Sequence, residues 1–356
     1  MRVALLVVIF SVSAAMDGQT PQRWERVVDE AVATPLRERR FSGVVLVEQE
    51  GRTLVRKAYG LADRERSIPN TPETPFMIMS VSKQFTAALI LRLAAQRRLG
   101  LHDRVSDYLA DWPPGWDAVT IHHLLTHSAG TDIDTTYFWL VRHHPEYWAD
   151  FAETPPPYEP RPLTNPPGTT FLYSNIGYTL LSRIAAAAGG RPFDELIRDE
   201  VMCPLDMMDT MPERGDRIAG RARGYRRTDD GLASWEQRTI DIVGAGDLVS
   251  TVDDLAKWDR APSDERFLPA SLRAVMLTSH LTGKYGGTGY AWFLRTGKSG
   301  HAIQFHTGSG AGFRAFNYRL PELGLTVVVL SNIGESESSW VTELLDAIVN
   351  ELVAVP

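Results

Sequence analysis

The sequence predicts an α+β fold, in which one antiparallel β-sheet is built from both ends of the chain and flanked by helices. Three observations predict it: strand-like apolar runs lie near both ends, helical patterns fill the middle, and an amphipathic helical pattern closes the chain. The middle then forms an inserted, mostly helical lobe. A cleft is expected where this lobe meets the sheet.

Each element has its own signal. The stretch FSGVVLVEQEGRTLVRKAYG at 41–60 predicts two strands around Glu50-Gly51, a pair typical of a hairpin turn. Four further runs predict strands and five patterns predict helices. The strands are TGYAWFLR (288–295), AIQFHTG (302–308), FRAFNYRL (313–320) and LTVVVLSN (325–332); the helices are TIHHLLTHS (120–128), GYTLLSRIAAAA (177–188), FDELIRDEV (193–201), STVDDLAKW (250–258) and SSWVTELLDAIVNELV (338–353).

The chain is expected to contain a signal segment followed by one domain. Residues 1–15 combine Arg2, an apolar run and small residues ending at Ala15, which is the layout of a cleaved secretory signal peptide. Export to the periplasm or the exterior is therefore expected, with no stable membrane insertion after processing; an uncleaved anchor is the alternative. The domain covers 22–356, with a sheet lobe at about 22–79 and 260–356 and a helical lobe at about 80–259.

Composition limits the partners. The 356 residues carry a net charge of −7 and an isoelectric point near 5.8, so nucleic acid is excluded as an expected partner. A small molecule or a peptide is the expected substrate.

No metal or cofactor is expected. His123 and His127 have the spacing of a zinc pair, but Leu124 stands where a metalloprotease carries its glutamate, and structural packing of both histidines is favoured.

The first chemical signal is Ser80, three residues before Lys83, at the start of a long apolar helix. At that spacing the two side chains share one helical face. A lysine is disfavoured at the positive end of a helix, and burial there weakens its hold on its proton, so that the amine can act as a base on the serine. The alternative is a capped helix with a lysine that faces solvent.

Two later segments strengthen the chemical interpretation. Tyr173-Ser174-Asn175 supplies a phenol and a carboxamide two residues apart, and His306-Thr307-Gly308 ends a strand-like run. Ser-x-x-Lys, Ser-Asp-Asn and Lys-Thr-Gly are the motifs of class A β-lactamases and penicillin-binding proteins. The present chain has the same order, with Tyr-x-Asn and His-x-Gly as the second and third motifs.

With these motifs, the chain resembles the serine β-lactamase and penicillin-binding-protein-like superfamily, in its class C β-lactamase, DD-peptidase and esterase branch. The resemblance runs from about Phe41 to Leu352 and includes the phrases LHDRVSDYL, TIHHLLTHSAG, PPGTTFLYSNIGY, PLDMMDT and GAGDLVSTVDDLAKW. It implies a β-lactamase/transpeptidase-like fold, sandwich-like in its layers of helix and sheet. It also implies a serine hydrolase that works through an acyl-enzyme.

The resemblance implies a role for each matching residue. Ser80 is the implied nucleophile, and Lys83 and Tyr173 share the proton transfers. Asn175 is implied to orient the substrate. His306, Thr307, Gly308 and Ser309 form the strand that binds the substrate, and the backbone N–H groups of Ser80 and Ser309 form the oxyanion hole.

One departure from the β-lactamase pattern affects the substrate. His306 stands where β-lactamases carry a lysine, and His-Thr-Gly is common among the peptidases and esterases of this branch. We therefore expect an esterase-like activity. The alternatives are a D-alanyl-D-alanine carboxypeptidase or D-aminopeptidase, a class C-like β-lactamase, and a catalytically silent binding module. Arg295 and Arg314 are possible partners for a substrate carboxylate, and the Pro-rich stretch 132–171 is either a packed loop or a wall of the site.

Overall fold

The structure is a computed structural model that describes residues 21–110, 112, 115–130, 163–214, 218–235, 242–334 and 338–354. The expected signal segment at 1–15 and residues 132–162 of the Pro-rich stretch lie outside the described residues.

An eight-stranded antiparallel sheet built from both chain ends is the centre of the fold, as the sequence predicts. The strands are β1 Gly43–Gln49, β2 Arg52–Tyr59, β10 Leu281–Gly283, β11 Gly286–Thr288, β12 Phe293–Thr296, β13 Ala302–Gly310, β14 Phe313–Leu320 and β15 Leu325–Ser331. Their order in the sheet is β10-β11-β12-β13-β14-β15-β1-β2, so the N-terminal hairpin joins the C-terminal strands through β1 and β15.

The predicted hairpin turn is confirmed at Glu50-Gly51. Both residues have positive φ values, 50° and 80°, which suits the right-handed twist of the two strands that they join. Shorter strands form three small sheets elsewhere: β3 Leu61–Asp63 with β4 Ile68–Pro69; β5 Phe76–Met77 and β6 Met211–Pro212 on either side of β9 Leu248–Ser250; and β7 Tyr225–Thr228 with β8 Gly231–Ser234.

Eight α-helices lie in the described part of the chain. They are α1 Pro21–Arg37, α2 Ser82–Ala95, α3 Ile121–Leu125, α4 Asn175–Gly189, α5 Phe193–Ile197, α6 Val252–Arg260, α7 Ala270–Leu277 and α8 Ser339–Val353. Helix α6 is capped by Thr251, whose side chain accepts the N–H of Asp254. None of the described helices is long and apolar enough to cross a membrane.

Helices cover both faces of the sheet. Side chains alternate along β15, so that Val327 and Val329 join one core with α1 and α8 while Val328 and Leu330 join the other core with α2 and α6. Burial on both faces explains why this strand is apolar at consecutive positions. Helix α2 is buried nearly all round, which places its first turn between the sheet and the helical lobe.

The prediction of one strand over residues 288–295 is wrong for residues 289–292. Strand β12 begins only at Phe293, and residues 289–292 form a bend with Ala291 at a φ of 60°. The apolar pattern arises because Tyr290 and Trp292 are buried in the core on this bend, and such a pattern does not require a strand.

Candidate active site

A short turn before α2 presents Ser80. Residues Met79–Val81 form a 3-10 turn, and Ser80 is half-buried, so its hydroxyl is within reach of a substrate. Met79 has a φ of 49°, in the left-handed region that a non-glycine residue rarely adopts. The surrounding contacts hold this turn, since the Ile78 N–H donates to Leu248 O at 3.0 Å. Strained backbone of this kind is frequent at functional sites.

Lys83 is completely buried behind Ser80. Its ammonium donates to Ser80 Oγ at 3.3 Å, to Asn175 Oδ1 at 2.7 Å and to the carbonyl oxygen of Ala245 at 2.7 Å. These contacts exclude the alternative of a solvent-facing lysine. The capping part of that alternative is also wrong, because the N-cap is Val81 without a side-chain bond and Ser82 Oγ accepts the N–H of Leu248 instead.

The start of α4 brings Tyr173 and Asn175 to the same place. Ser174 caps the helix by accepting the N–H of Gly177 at 2.7 Å, which separates its role from those of its two neighbours in the motif. The Tyr173 ring centroid lies 5.0 Å from Lys83 Nζ. The predicted catalytic residues Ser80, Lys83 and Tyr173 and the predicted binding residue Asn175 therefore lie together.

His127 supports this cluster from behind. Its ring stacks on Tyr173 with centroids 4.4 Å apart, and its Nδ1 accepts the N–H of Ser174 at 3.0 Å. Burial, with the charges of Lys83 and His306 adding to it, holds the pKa of His127 well below its usual range. His123 instead accepts the N–H of Thr120, and no metal-binding group of three or more ligands occurs among the residues that the structure describes.

Strand β13 forms the opposite wall. His306 is buried, and this burial together with the charge of Lys83 lowers its pKa from 6.5 to about 3, so the ring is neutral at physiological pH. Gly308 passes so close to the nucleophile turn that a Cβ there would lie 2.1 Å from Ile78 O. A larger residue would push the strand away from Ser80.

The backbone N–H of Ser309 is not used in pairing with β14. Strands β13 and β14 are joined by a two-residue turn with Gly310 facing Phe313, and the residues flanking such a turn form a hydrogen-bonded pair. Pairs alternate along an antiparallel ladder, so Ser309, opposite Arg314, is a pair without mutual bonds and its N–H points away from β14.

That N–H points toward an open edge of the sheet. Strand β12 pairs with β13 only as far as Phe305, and no described strand is hydrogen-bonded to this edge beyond that residue. A carbonyl lying beside Ser80 can therefore meet the N–H of Ser309. Thr307 faces the same way as Ser309 along the strand and is half-buried.

An aromatic wall borders the cluster. Phe293 stacks on His306 with centroids 4.8 Å apart, Tyr285 lies 4.5 Å from Phe293 and 6.5 Å from Tyr173, and Phe171 lies 6.4 Å from Phe293. Tyr285 is 36% exposed. The wall is built from three separate segments, and no spacing rule within one segment predicts it.

The two proposed carboxylate partners are placed differently. Arg295 is exposed, and its guanidinium lies 4.9 Å from the centroid of Phe305. Arg314 lies directly opposite Ser309 across the β13–β14 pair, so these two side chains share one face of the sheet. Lys284 lies at the rim of the wall, with its Nζ 4.7 Å from the Tyr285 centroid.

Comparison with known proteins identifies the family of the chain. The Beta-lactamase family profile matches residues 24–347. PbpX of Bacillus subtilis (strain 168), named as a penicillin-binding protein, is 26% identical over 313 residues, which are 86% of this chain and 74% of that protein.

Two solved structures are similar in fold. The octameric penicillin-binding protein homologue from Pyrococcus abyssi has a TM-score of 0.76 at 27% identity, covering 92% of this chain and 77% of that one. EstCE1, described as a hydrolase with promiscuous acyltransferase activity, has a TM-score of 0.72 at 22% identity, covering 92% and 99%. Because the family profile spans most of the sequence, the chain belongs to the beta-lactamase family, in the serine β-lactamase and penicillin-binding-protein-like superfamily.

Proposed function

We propose that the protein is an exported serine hydrolase that cleaves small, neutral carboxylic esters through an acyl-enzyme on Ser80. The observation that carries the proposal is the buried Lys83, which joins the accessible Ser80 hydroxyl to Asn175 and lies against the Tyr173 ring. A fully buried lysine beside a serine has little structural use, whereas a lysine in that position can pass on its own proton and then, as a neutral amine, take the serine proton.

The proposed reaction has two balanced halves. Ser80 Oγ attacks the ester carbonyl and its proton passes to the Lys83–Tyr173 pair, while the N–H groups of Ser80 and Ser309 stabilise the oxyanion. Collapse breaks the C–O bond, and the phenol of Tyr173 returns a proton to the departing alcohol. Water then attacks the acyl carbon and loses a proton to the same pair; the bond from Ser80 Oγ to the acyl carbon breaks, the pair returns the proton to Ser80 Oγ, and the carboxylic acid leaves.

The preference for a neutral substrate rests on the charges around the site. His306 and His127 both have lowered pKa values and are neutral at physiological pH. Apolar rings line the wall beside them, and desolvating a substrate carboxylate against such rings is costly unless a cation pairs with it. The exposed Lys284 at the rim is the cation available to test this reasoning.

The test compares kcat/KM for p-nitrophenyl acetate and butyrate, nitrocefin and a D-Ala-D-Ala peptide. Faster turnover of the esters is expected. A higher value for nitrocefin or the peptide would contradict the ester preference and favour the class C-like β-lactamase or the peptidase. In that case Lys284→Met should slow only the carboxylate-bearing substrate.

A catalytically silent binding module is the remaining alternative. It predicts no covalent labelling of Ser80 by a fluorophosphonate, whereas the proposed hydrolase is labelled. Export is proposed from the signal-like residues 1–15 alone. Finding the protein only in the cytoplasmic fraction of a cell that expresses it from its own start would contradict export.

A further inference from the structure

One loop holds the nucleophile turn and Lys83 in place. We name residues 242–248 the lysine loop, because the carbonyl oxygen of Ala245 accepts the ammonium of Lys83 at 2.7 Å. Its neighbour Gly244 accepts the hydroxyl of Thr86 at 2.6 Å through its carbonyl oxygen. The end of the loop is tied to α2, since Leu248 donates its N–H to Ser82 Oγ at 3.2 Å. Movement of the loop therefore moves an acceptor of Lys83.

A buried carboxylate lies inside this loop. Asp247 is 0% exposed, and its Oδ1 accepts the N–H of Gly244 at 2.8 Å, closing a tight turn in which Gly244 has a φ of 74°. Its Oδ2 forms an ion pair with Arg214 Nη1 at 2.7 Å. A second nitrogen of Arg214, Nη2, forms an ion pair with Asp194 Oδ1 of α5, also at 2.7 Å, so the loop is anchored to the helical lobe.

Burial of this carboxylate destabilises the folded protein. Burial raises the pKa of Asp247, and the opposing effect of Arg214 is too small to cancel the rise. An apolar residue at the position would avoid the desolvation cost of the ion pair. Asp247 does, however, bind the N–H of Gly244 and the guanidinium of Arg214 at once, so it fixes the residues on both sides of Ala245 and with them the direction of the Ala245 carbonyl.

We propose that Asp247 is a positioning residue, which fixes the lysine loop so that the Ala245 carbonyl holds Lys83 beside Ser80. The inference rests on the proposed function, because it assigns Asp247 a role in that same reaction. Asp247 itself does not contact Ser80 in the described contacts and is not a catalytic residue. Loss of its charge should slow the chemical step and leave substrate binding unchanged.

The first variant is Asp247→Asn, which keeps the shape and removes the charge. We expect kcat and the rate of fluorophosphonate labelling to fall about 10- to 100-fold, as for a displaced catalytic group, with KM within about twofold of wild type. The acidic limb of the pH profile of kcat should also shift, because Lys83 loses a fixed acceptor geometry. A merely structural role would not move that limb.

The matched control is Glu213→Gln. Glu213 is also buried and pairs with Arg221 at 2.6 Å, and its side chain bonds to Arg221 and the Ile218 N–H. Only its backbone N–H, which the substitution keeps, bonds to the lysine loop, at Asp247 O. This variant should lose thermal stability and retain the wild-type labelling rate per folded molecule. An equal loss of rate in Glu213→Gln and Asp247→Asn would overturn the proposal.

A second variant covers the case in which Asp247→Asn fails to fold. Arg214→Gln removes the cation from the half-buried end of the pair and leaves the Asp247–Gly244 bond in place; it should lower the labelling rate with an unchanged KM. A wild-type rate in a folded Asp247→Asn or Arg214→Gln protein would overturn the inference alone. Absence of labelling in the wild-type protein would overturn the proposed function, and the inference with it.

Discussion

Replacing Asp259 with asparagine is expected to remove a large part of the pH dependence of stability. Asp259 lies on α6, 2% exposed, against the sheet. Burial raises its pKa from 3.8 to about 7; the side chains of Asn317, Arg319 and Thr326 offset part of this effect and the charge of Glu48 adds to it. The folded protein therefore holds this proton at pH values where the unfolded chain has lost it.

The magnitude follows from the size of the shift. About three pKa units at 1.36 kcal/mol each correspond to about 4 kcal/mol of unfolding free energy. Because the folded pKa is the higher one, this stability is complete below pH 3.8, falls steadily as the pH rises from 3.8 to 7, and is gone above pH 7. The asparagine side chain of the variant carries no titrating proton, so its contribution is flat over the same range.

The assay is urea unfolding of the wild type and of Asp259→Asn between pH 4 and pH 9. The stability of the variant relative to wild type should rise by about 1.4 kcal/mol per pH unit up to pH 7 and then level off. Parallel curves for the two proteins would refute the reasoning. Asp264→Asn is the control: a hydrogen bond from Arg266 lowers the pKa of Asp264, so this carboxyl is ionised in the folded protein over the whole range and the variant should run nearly parallel to wild type.

Three further outcomes are expected at the site. Tyr173→Phe should lower kcat far more than it changes KM, because the phenol acts in the transition state; an unchanged kcat would make Tyr173 a binding residue only. Gly308→Ala should lower activity at least tenfold by pushing β13 away from Ile78 O, and wild-type kinetics would show that the strand can give way. Tyr285→Ala should lower kcat/KM about two- to tenfold for benzyl acetate and hardly at all for allyl acetate, since Tyr285 borders Tyr173, where the alcohol departs; equal losses would exclude a specific ring contact.

The local sequence was sufficient wherever neighbouring residues determine the conformation. Glu50-Gly51 predicted its hairpin because the turn depends on two residues with positive φ. The family resemblance named residues that the fold brings together from three segments, with Lys83 Nζ within 3.3 Å of Ser80 Oγ and of Asn175 Oδ1.

The sequence was insufficient wherever distant segments decide the outcome. The neutrality of His306 depends on burial and on the charge of Lys83, which no local pattern contains. The acceptor at Ala245 is a backbone carbonyl, and any residue type supplies one. The bend at 289–292 buries two aromatic rings without strand pairing. Its composition therefore resembles that of a buried strand.

The most direct test of the proposed mechanism is the trapping of its acyl-enzyme. Purified protein is mixed with p-nitrophenyl butyrate, quenched in acid and digested, and the peptides are examined by mass spectrometry. The proposed mechanism predicts a butyryl adduct on Ser80, with none on a folded Ser80→Ala protein, whose substitution should cost no more than about 1 kcal/mol of stability. Ester hydrolysis with the adduct on another residue, or hydrolysis retained by Ser80→Ala, would contradict it.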